Sequence, residues 1–153
     1  MWPPPAVPRF VRARLLAVAR SVSVDTNRIA AFQALADLPA AELDELAIAM
    51  SDVEVEAGAN VITLDDYGTA IYFIERGQAD VLTDSDEATE TLGPGDTFGE
   101  IALLLTGQRT ATVVARTPMQ LLTLFDQDFQ RIRARVPELE RSLRRLGLER
   151  AGR

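Results

Sequence analysis

Glu100 and Arg109 stand nine residues apart in a stretch, 93–112, that interrupts the rhythm of its surroundings: GPGDTFGEIALLLTGQRTAT. An arginine offers a fork of donors that matches a phosphate, and a glutamate is a pure acceptor, suited to a sugar hydroxyl. Between them, residues 100–105 (EIALLL) favour one helical turn rather than a strand. Gly99 just ahead of that turn lets the backbone approach a ligand with no Cβ in the way. N–H groups exposed at a helix start attract anions. Each residue has a plainer use, since the helix dipole alone favours a glutamate there and an arginine can neutralise a neighbouring carboxylate. The combination at this spacing favours a ligand that carries a singly charged phosphate with a ribose hydroxyl close beside it.

The rest of the composition narrows the chemistry. The 153 residues include no cysteine and no histidine, and all 16 basic residues are arginine. A Ser-His-Asp triad, imidazole or thiolate metal sites, disulfides, Schiff bases and the Walker lysine are therefore all excluded. Carboxylate-only catalysis and binding functions survive that filter. The net charge of −7 is segregated: +4 over residues 1–28, −14 over 29–125 and +3 over 126–153. So acidic a middle repels phosphate backbones, which argues against nucleic acid as a partner. Arg109 is one of only three arginines there, with Arg76 and Arg116. The longest uncharged run, 117–125, is nine residues, too short for a bilayer span, and the first ten residues lack the regions of a signal peptide. A cytoplasmic location is the expectation.

Which elements must hold the pair in place? Residues 2–8 (WPPPAVP) read as an extended arm and 10–21 as a short helix, with arginines at 9, 12, 14 and 20. That helix reads either as a solvated face or as a docking element for a partner. Asp25, Thr26 and Asn27 are cap-forming types ahead of a second helix, RIAAFQALA (28–36). Pro39 opens a third, with Leu43, Leu46, Ala47 and Met50 at helical spacing. After Ser51 the period becomes strand-like: 53–58, 60–64, 70–74, 78–83 and 89–92, later 110–115 and 119–125. Turn residues every ten positions or so indicate an antiparallel sandwich or roll. The helical period then returns, with Asp126 placed to cap QDFQRIRARV (127–136). Pro137 opens ELERSLRRLGLER (138–150), with Leu139, Leu143 and Leu146 on one stripe.

The stretch 93–115, with its LGPGD-type turn, FGEIALL and RTATVVA, resembles the phosphate-binding cassette of the cyclic nucleotide-binding domain family. The resemblance extends over about residues 29–150. It implies a fold that is mostly β with flanking α: an antiparallel β-roll or jelly roll (double-stranded β-helix), N-terminal helices, a short cassette helix and two C-terminal helices. On that basis 1–28 is a proline-rich arm and basic helix, and 29–153 is the binding domain, with the roll at about 52–125 and the closing helices at about 126–150. Glu100 matches the glutamate that bonds the ribose 2′-hydroxyl, and Arg109 the arginine that pairs with the cyclic phosphate. Gly99, Ile101 and Ala102 match the turn whose backbone approaches ribose and phosphate. Thr110 and Ala111 match residues beside phosphate and base, and Val81 a strand position lining the purine pocket. A C-terminal helix side chain often lids the base in this family. Arg144 is the candidate here, stacking its guanidinium on the purine; its plainer reading is a solvated helix arginine.

Two departures from the family pattern stand out: Gln108 where many members carry proline, and 64–68 (LDDYG) in place of a commoner glycine-containing turn. Thr110 resembles the residue of cGMP-preferring domains, yet bacterial-type domains with Ser or Thr there often take cAMP. The expected ligand is cAMP rather than cGMP, with no metal. Asp84, Asp86, Glu87 and Glu90 lack the glycine an EF-hand loop needs, Thr89 standing at its place, and read as a solvated hairpin. The resulting expectation is a non-enzymatic sensor coupled to an effector domain or protein (transporter, channel or enzyme) or to a second copy in a homodimer. The alternative is a ligand-free roll that uses its leucine stripe and basic ends for assembly. A cupin-type enzyme of the same shape would need histidine ligands.

Overall fold

The computed structural model describes residues 24–63, 69–82, 88–100, 104, 107, 109 and 111–151. The helix expected at 10–21, the turn at 64–68 and the acidic loop residues Asp84, Asp86 and Glu87 lie outside them. Helix α1 spans Thr26–Ala30, where the Asp25 carboxylate accepts from the Asn27 N–H at 2.8 Å. α2 spans Ala40–Ala49.

The helix expected over 28–36 stops at Ala30. From there the chain winds through three-residue turns, Phe32 N–H to Ile29 O, Leu35 N–H to Phe32 O and Leu38 N–H to Leu35 O. Ile29, Phe32, Leu35 and Leu38 are all buried, one per turn of three. An α-helix would rotate every third residue away from a common face, whereas three residues per turn keeps them aligned. The strict spacing of three in the sequence fits this tighter winding and not the expected α-helix.

Two four-stranded antiparallel sheets follow, the expected roll. One has the order β1-β8-β3-β6 and the other β2-β7-β4-β5. Their ranges are β1 Ser51–Val55, β2 Asn60–Ile62, β3 Ala70–Arg76, β4 Ala79–Leu82, β5 Ala88–Leu92, β6 Thr97–Phe98, β7 Thr112–Ala115 and β8 Met119–Phe125. β3 and β8 lie inside the first sheet and are buried on both faces, which explains their unbroken apolar runs. Leu121 of β8 and Ala70, Tyr72 and Ile74 of β3 face the roll interior. Leu122 and Leu124 of β8 and Ile71 and Phe73 of β3 face the opposite way, into a second core with the helices. β6 is a two-residue strand within the cassette that alternation did not suggest.

α3 spans Asp126–Ile132 and α4 spans Pro137–Ala151. Asp126 does not cap α3: Phe125 holds the cap position, and Asp126 is the first helical residue, its carboxylate accepting from Gln130 Nε2 at 3.0 Å. The helix expected to run on to Val136 ends at Ile132, consistent with Pro137 disfavouring helical geometry in the residue before it. Phe129, Ile132, Val136, Leu139 and Leu143 are buried in the helical core. Glu42 of α2, itself buried, accepts from the Glu138 N–H at 3.1 Å and so caps α4 from outside. Arg28 of α1 reaches across to the first sheet. It grips Glu75 through Nε at 2.8 Å and Nη2 at 2.6 Å, and Asp52 through Nη2 at 2.6 Å. Those two carboxylates, Glu75 first, push the guanidinium pKa upward.

Candidate functional site

Glu100 and Arg109 are both withdrawn from solvent: Glu100 is 1% exposed and Arg109 is 5% exposed. Burying a charge is costly unless it is met by polar partners. Arg109 Nη1 donates to the Gly99 carbonyl at 2.9 Å, and Nη2 donates to the Ala70 carbonyl at 3.0 Å. The guanidinium carbon also sits 6.0 Å from the centre of the Tyr72 ring. Tyr72 in turn stacks on Phe98, with centroids 5.1 Å apart and planes 20° from parallel. The arginine is thus held on an aromatic floor by two backbone carbonyls, one from the cassette and one from the first residue of β3.

Gly99 is the hinge of this arrangement. Its φ is +94°, a left-handed conformation that L side chains rarely adopt. A Cβ there would lie 3.0 Å from the Ala70 oxygen and 3.0 Å from Arg109 Nη1. Only glycine lets β3, the cassette turn and the arginine close on one another. Glu100 follows directly, in helical conformation; the rest of the expected turn, 101–103, lies outside the described residues. Ile101, Ala102 and Thr110 lie outside the described residues. Ala111 is half-buried at the bend that leads into β7.

Val81 sits on β4 in the second sheet, opposite Val113 of β7 and Glu90 of β5. It packs against the roll-interior cluster that holds Tyr72 and Phe98. Arg144 projects from α4 and is half-exposed. Its Nη2 donates to Glu140 Oε2 at 2.9 Å, while Nη1 lies 3.5 Å from the Leu104 carbonyl of the cassette. Glu140 is shared: Arg133 also grips it, through Nη2 at 2.7 Å and Nε at 3.2 Å. Hydrogen bonds from Arg144 and then Arg133 hold the Glu140 carboxyl below the usual carboxylate range. Leu104 itself packs against the helical core.

Sequence reading missed Tyr72, Phe98, Ala70 and Glu140. Tyr72 could have been found from the alternation Ala70, Tyr72, Ile74 along one strand face. The Ala70 carbonyl could not, because a backbone acceptor leaves no residue-type signal. Among the described residues no cluster of acidic side chains has metal-site geometry, and no helix is long and apolar enough to cross a membrane.

The sequence pattern described as "Cyclic nucleotide-binding domain" matches residues 52–136. The chain is 41% identical over 99 residues to a cAMP-dependent protein kinase regulatory subunit of Yarrowia lipolytica, covering 64% of this chain and 26% of that protein. It is 37% identical over 124 residues to a cyclic nucleotide-gated potassium channel of Rhizobium etli, covering 81% of this chain and 34% of that protein. Among solved structures, the regulatory subunit of a cAMP-independent protein kinase A from Trypanosoma brucei superposes with a TM-score of 0.67 at 27% identity, over 75% of this chain and 41% of that one. The chain spans between a quarter and a third of the curated relatives named here. The pattern takes in more than half of the chain. The chain belongs to the cyclic nucleotide-binding domain family, which is regulatory rather than catalytic.

Proposed function

We propose that the chain senses a cyclic nucleotide, cAMP in preference to cGMP, and passes the signal on through its C-terminal helices. The cyclic phosphate pairs with Arg109 and with backbone N–H groups of the turn that begins at Gly99 and runs through Ile101 and Ala102. Glu100 accepts from the ribose 2′-hydroxyl. Thr110 and Ala111 lie beside the phosphate and the base, Val81 lines the purine pocket, and Arg144 covers the purine.

The observation that carries this reading is the buried Arg109. A guanidinium inside an acidic domain, already oriented by the Gly99 and Ala70 carbonyls, is organised for an anion before the anion arrives. The contact between Arg144 and the Leu104 carbonyl supports the coupling, since α4 and the cassette already meet there. A ligand shifts this equilibrium only by its difference in affinity for the open and closed arrangements. The preference for cAMP accords with the name of the Yarrowia lipolytica relative; the Trypanosoma brucei relative, from a cAMP-independent kinase, shares the fold. The effector is a channel, transporter or enzyme, or a second copy of the chain. Assembly through the leucine stripe is disfavoured, because Leu139 and Leu143 are spent in the domain's own core.

Thermal unfolding with cAMP, cGMP and 5′-AMP tests the reading. At a hundred times its dissociation constant a ligand adds about 2.7 kcal/mol, or roughly 5–10 °C in a domain of this size. The expected result is a shift with cAMP, a smaller one with cGMP and none with 5′-AMP. No shift with either cyclic nucleotide at millimolar concentration overturns the function. An equal or larger shift with cGMP overturns only the base preference. Hydrogen exchange over α4 that is unchanged by a bound ligand overturns the coupling.

A further inference from the structure

Thr123 lies in the middle of β8 and is fully buried. Its side chain shares the interior face of the roll with Leu121, because Leu122 and Leu124 on either side point into the helical core. Its oxygen Oγ1 is the one buried side-chain polar atom with no hydrogen-bond partner among the described residues. A hydroxyl placed there bears its desolvation cost uncompensated, and valine would fill the same space without it.

Thr123 pairs with Ser51 on β1 and with Tyr72 on β3, and Tyr72 pairs with Phe98 on β6. Side chains directly opposite on one face of an antiparallel pair have Cβ atoms about 5 Å apart. The orphan hydroxyl is therefore the immediate neighbour of the ring beneath Arg109, in the same cross-strand row as the residue that precedes Gly99. The roll-interior cluster on that face is of aliphatic and aromatic residues, Tyr72 among them, and Oγ1 is bonded to none of them.

We propose that Thr123 is a ligand-positioning residue, whose hydroxyl donates to an oxygen at the ribose–phosphate end of the bound nucleotide. The proposal rests on the cyclic nucleotide reading above and adds to it a fixed donor on the floor of the roll, independent of the cassette. The free protein carries the unpaired hydroxyl, and the complex satisfies it.

The test is calorimetric titration of cAMP into the full chain and its variants, alongside the melting temperature of each free protein. Thr123→Val removes the hydroxyl and keeps the volume. It is expected to melt at or above the wild-type temperature, yet bind cAMP about tenfold more weakly, the scale of one hydrogen bond to a charged group. Damage to the fold would move both readouts downward together, so opposite signs mark a ligand contact. Thr123→Ser keeps the donor and is expected to bind within about twofold of wild type. Wild-type affinity in Thr123→Val overturns the proposal while leaving the cyclic nucleotide reading intact. A loss in Thr123→Ser as large as in Thr123→Val overturns it as well, because packing would then be the cause. Absence of cAMP and cGMP binding in the wild-type chain overturns the underlying reading and the proposal with it.

Discussion

Replacing Gly99 by alanine separates two costs that this site combines, because the chain carries its own control. Gly58 has a φ of +90° and Gly99 one of +94°, but a Cβ at Gly58 would meet nothing within 4 Å. Gly58→Ala therefore measures the left-handed backbone penalty alone, about 1–2 kcal/mol. Gly99→Ala adds to that penalty a Cβ 3.0 Å from the Ala70 oxygen and 3.0 Å from Arg109 Nη1. One neighbour is backbone inside a sheet and the other is held by two hydrogen bonds, so relief requires moving β3 or the guanidinium. Overpacking of that kind costs about 1–3 kcal/mol more. In melting temperature, at about 2–4 °C per kcal/mol for a chain of this length, Gly58→Ala should fall by roughly 2–8 °C and Gly99→Ala by roughly 4–20 °C. Binding separates them further: Gly58→Ala should take up cyclic nucleotide as the wild type does, while Gly99→Ala displaces the phosphate-binding group and should lose most of its affinity. The assays are thermal unfolding and calorimetric titration of the three proteins side by side. Equal melting temperatures for the two variants would refute the argument that the close approach of β3 and Arg109 demands a glycine. Wild-type affinity in Gly99→Ala would refute the assignment of this turn as the phosphate site.

Two further outcomes follow from the same geometry. Arg109→Ala should weaken cyclic nucleotide binding by about 2–5 kcal/mol, roughly 30- to 4,000-fold by titration, because a desolvated phosphate loses its charged partner; a loss under threefold would relocate the site. Glu140→Gln should lower the melting temperature modestly at pH 7, on the scale of about 0.5–1 kcal/mol for a partly exposed ion cluster. Because the folded-state pKa of Glu140 is depressed, that contribution is present above the ordinary glutamate value and disappears as pH falls through the depressed one. The gap between the two proteins in calorimetry should therefore close as the pH is taken below the ordinary glutamate range and through the depressed value, and a constant gap would show that the Arg133–Glu140–Arg144 cluster does not stabilise the fold through charge.

The element types were largely legible because they depend on chemistry within a few residues. Period-2 runs between turn residues marked the strands, Pro39 and Pro137 marked helix starts, and Asp25 caps α1 as its residue type suggests. The two misreadings have different causes. Ile29, Phe32, Leu35 and Leu38 look helical to a rule that accepts i+3 and i+4 alike, yet they follow a strict period of three and the chain turns accordingly. Asp126 looks like a cap, but where a helix begins relative to its first acid depends on how β8 delivers the chain, and β8 ends at Phe125.

At the site the division is sharper. The sequence by itself determined the ingredients: a glycine that the turn requires, a glutamate heading a helical turn, and a scarce arginine in a strongly acidic segment, with no histidine, cysteine or lysine to support other chemistry. Residue type and short spacing carry that information. Tertiary structure alone decided what holds the arginine. The Ala70 carbonyl that accepts from it lies 39 positions away in the chain, and the Tyr72–Phe98 floor exists because β3 and β6 pair in one particular register. It also decided that Glu140, an ordinary helix acid in the sequence, ties Arg133 and Arg144 together beside the cassette. Backbone acceptors have no residue signature, and register is set by the burial of two faces at once. Both are invisible until distant strands are packed against one another.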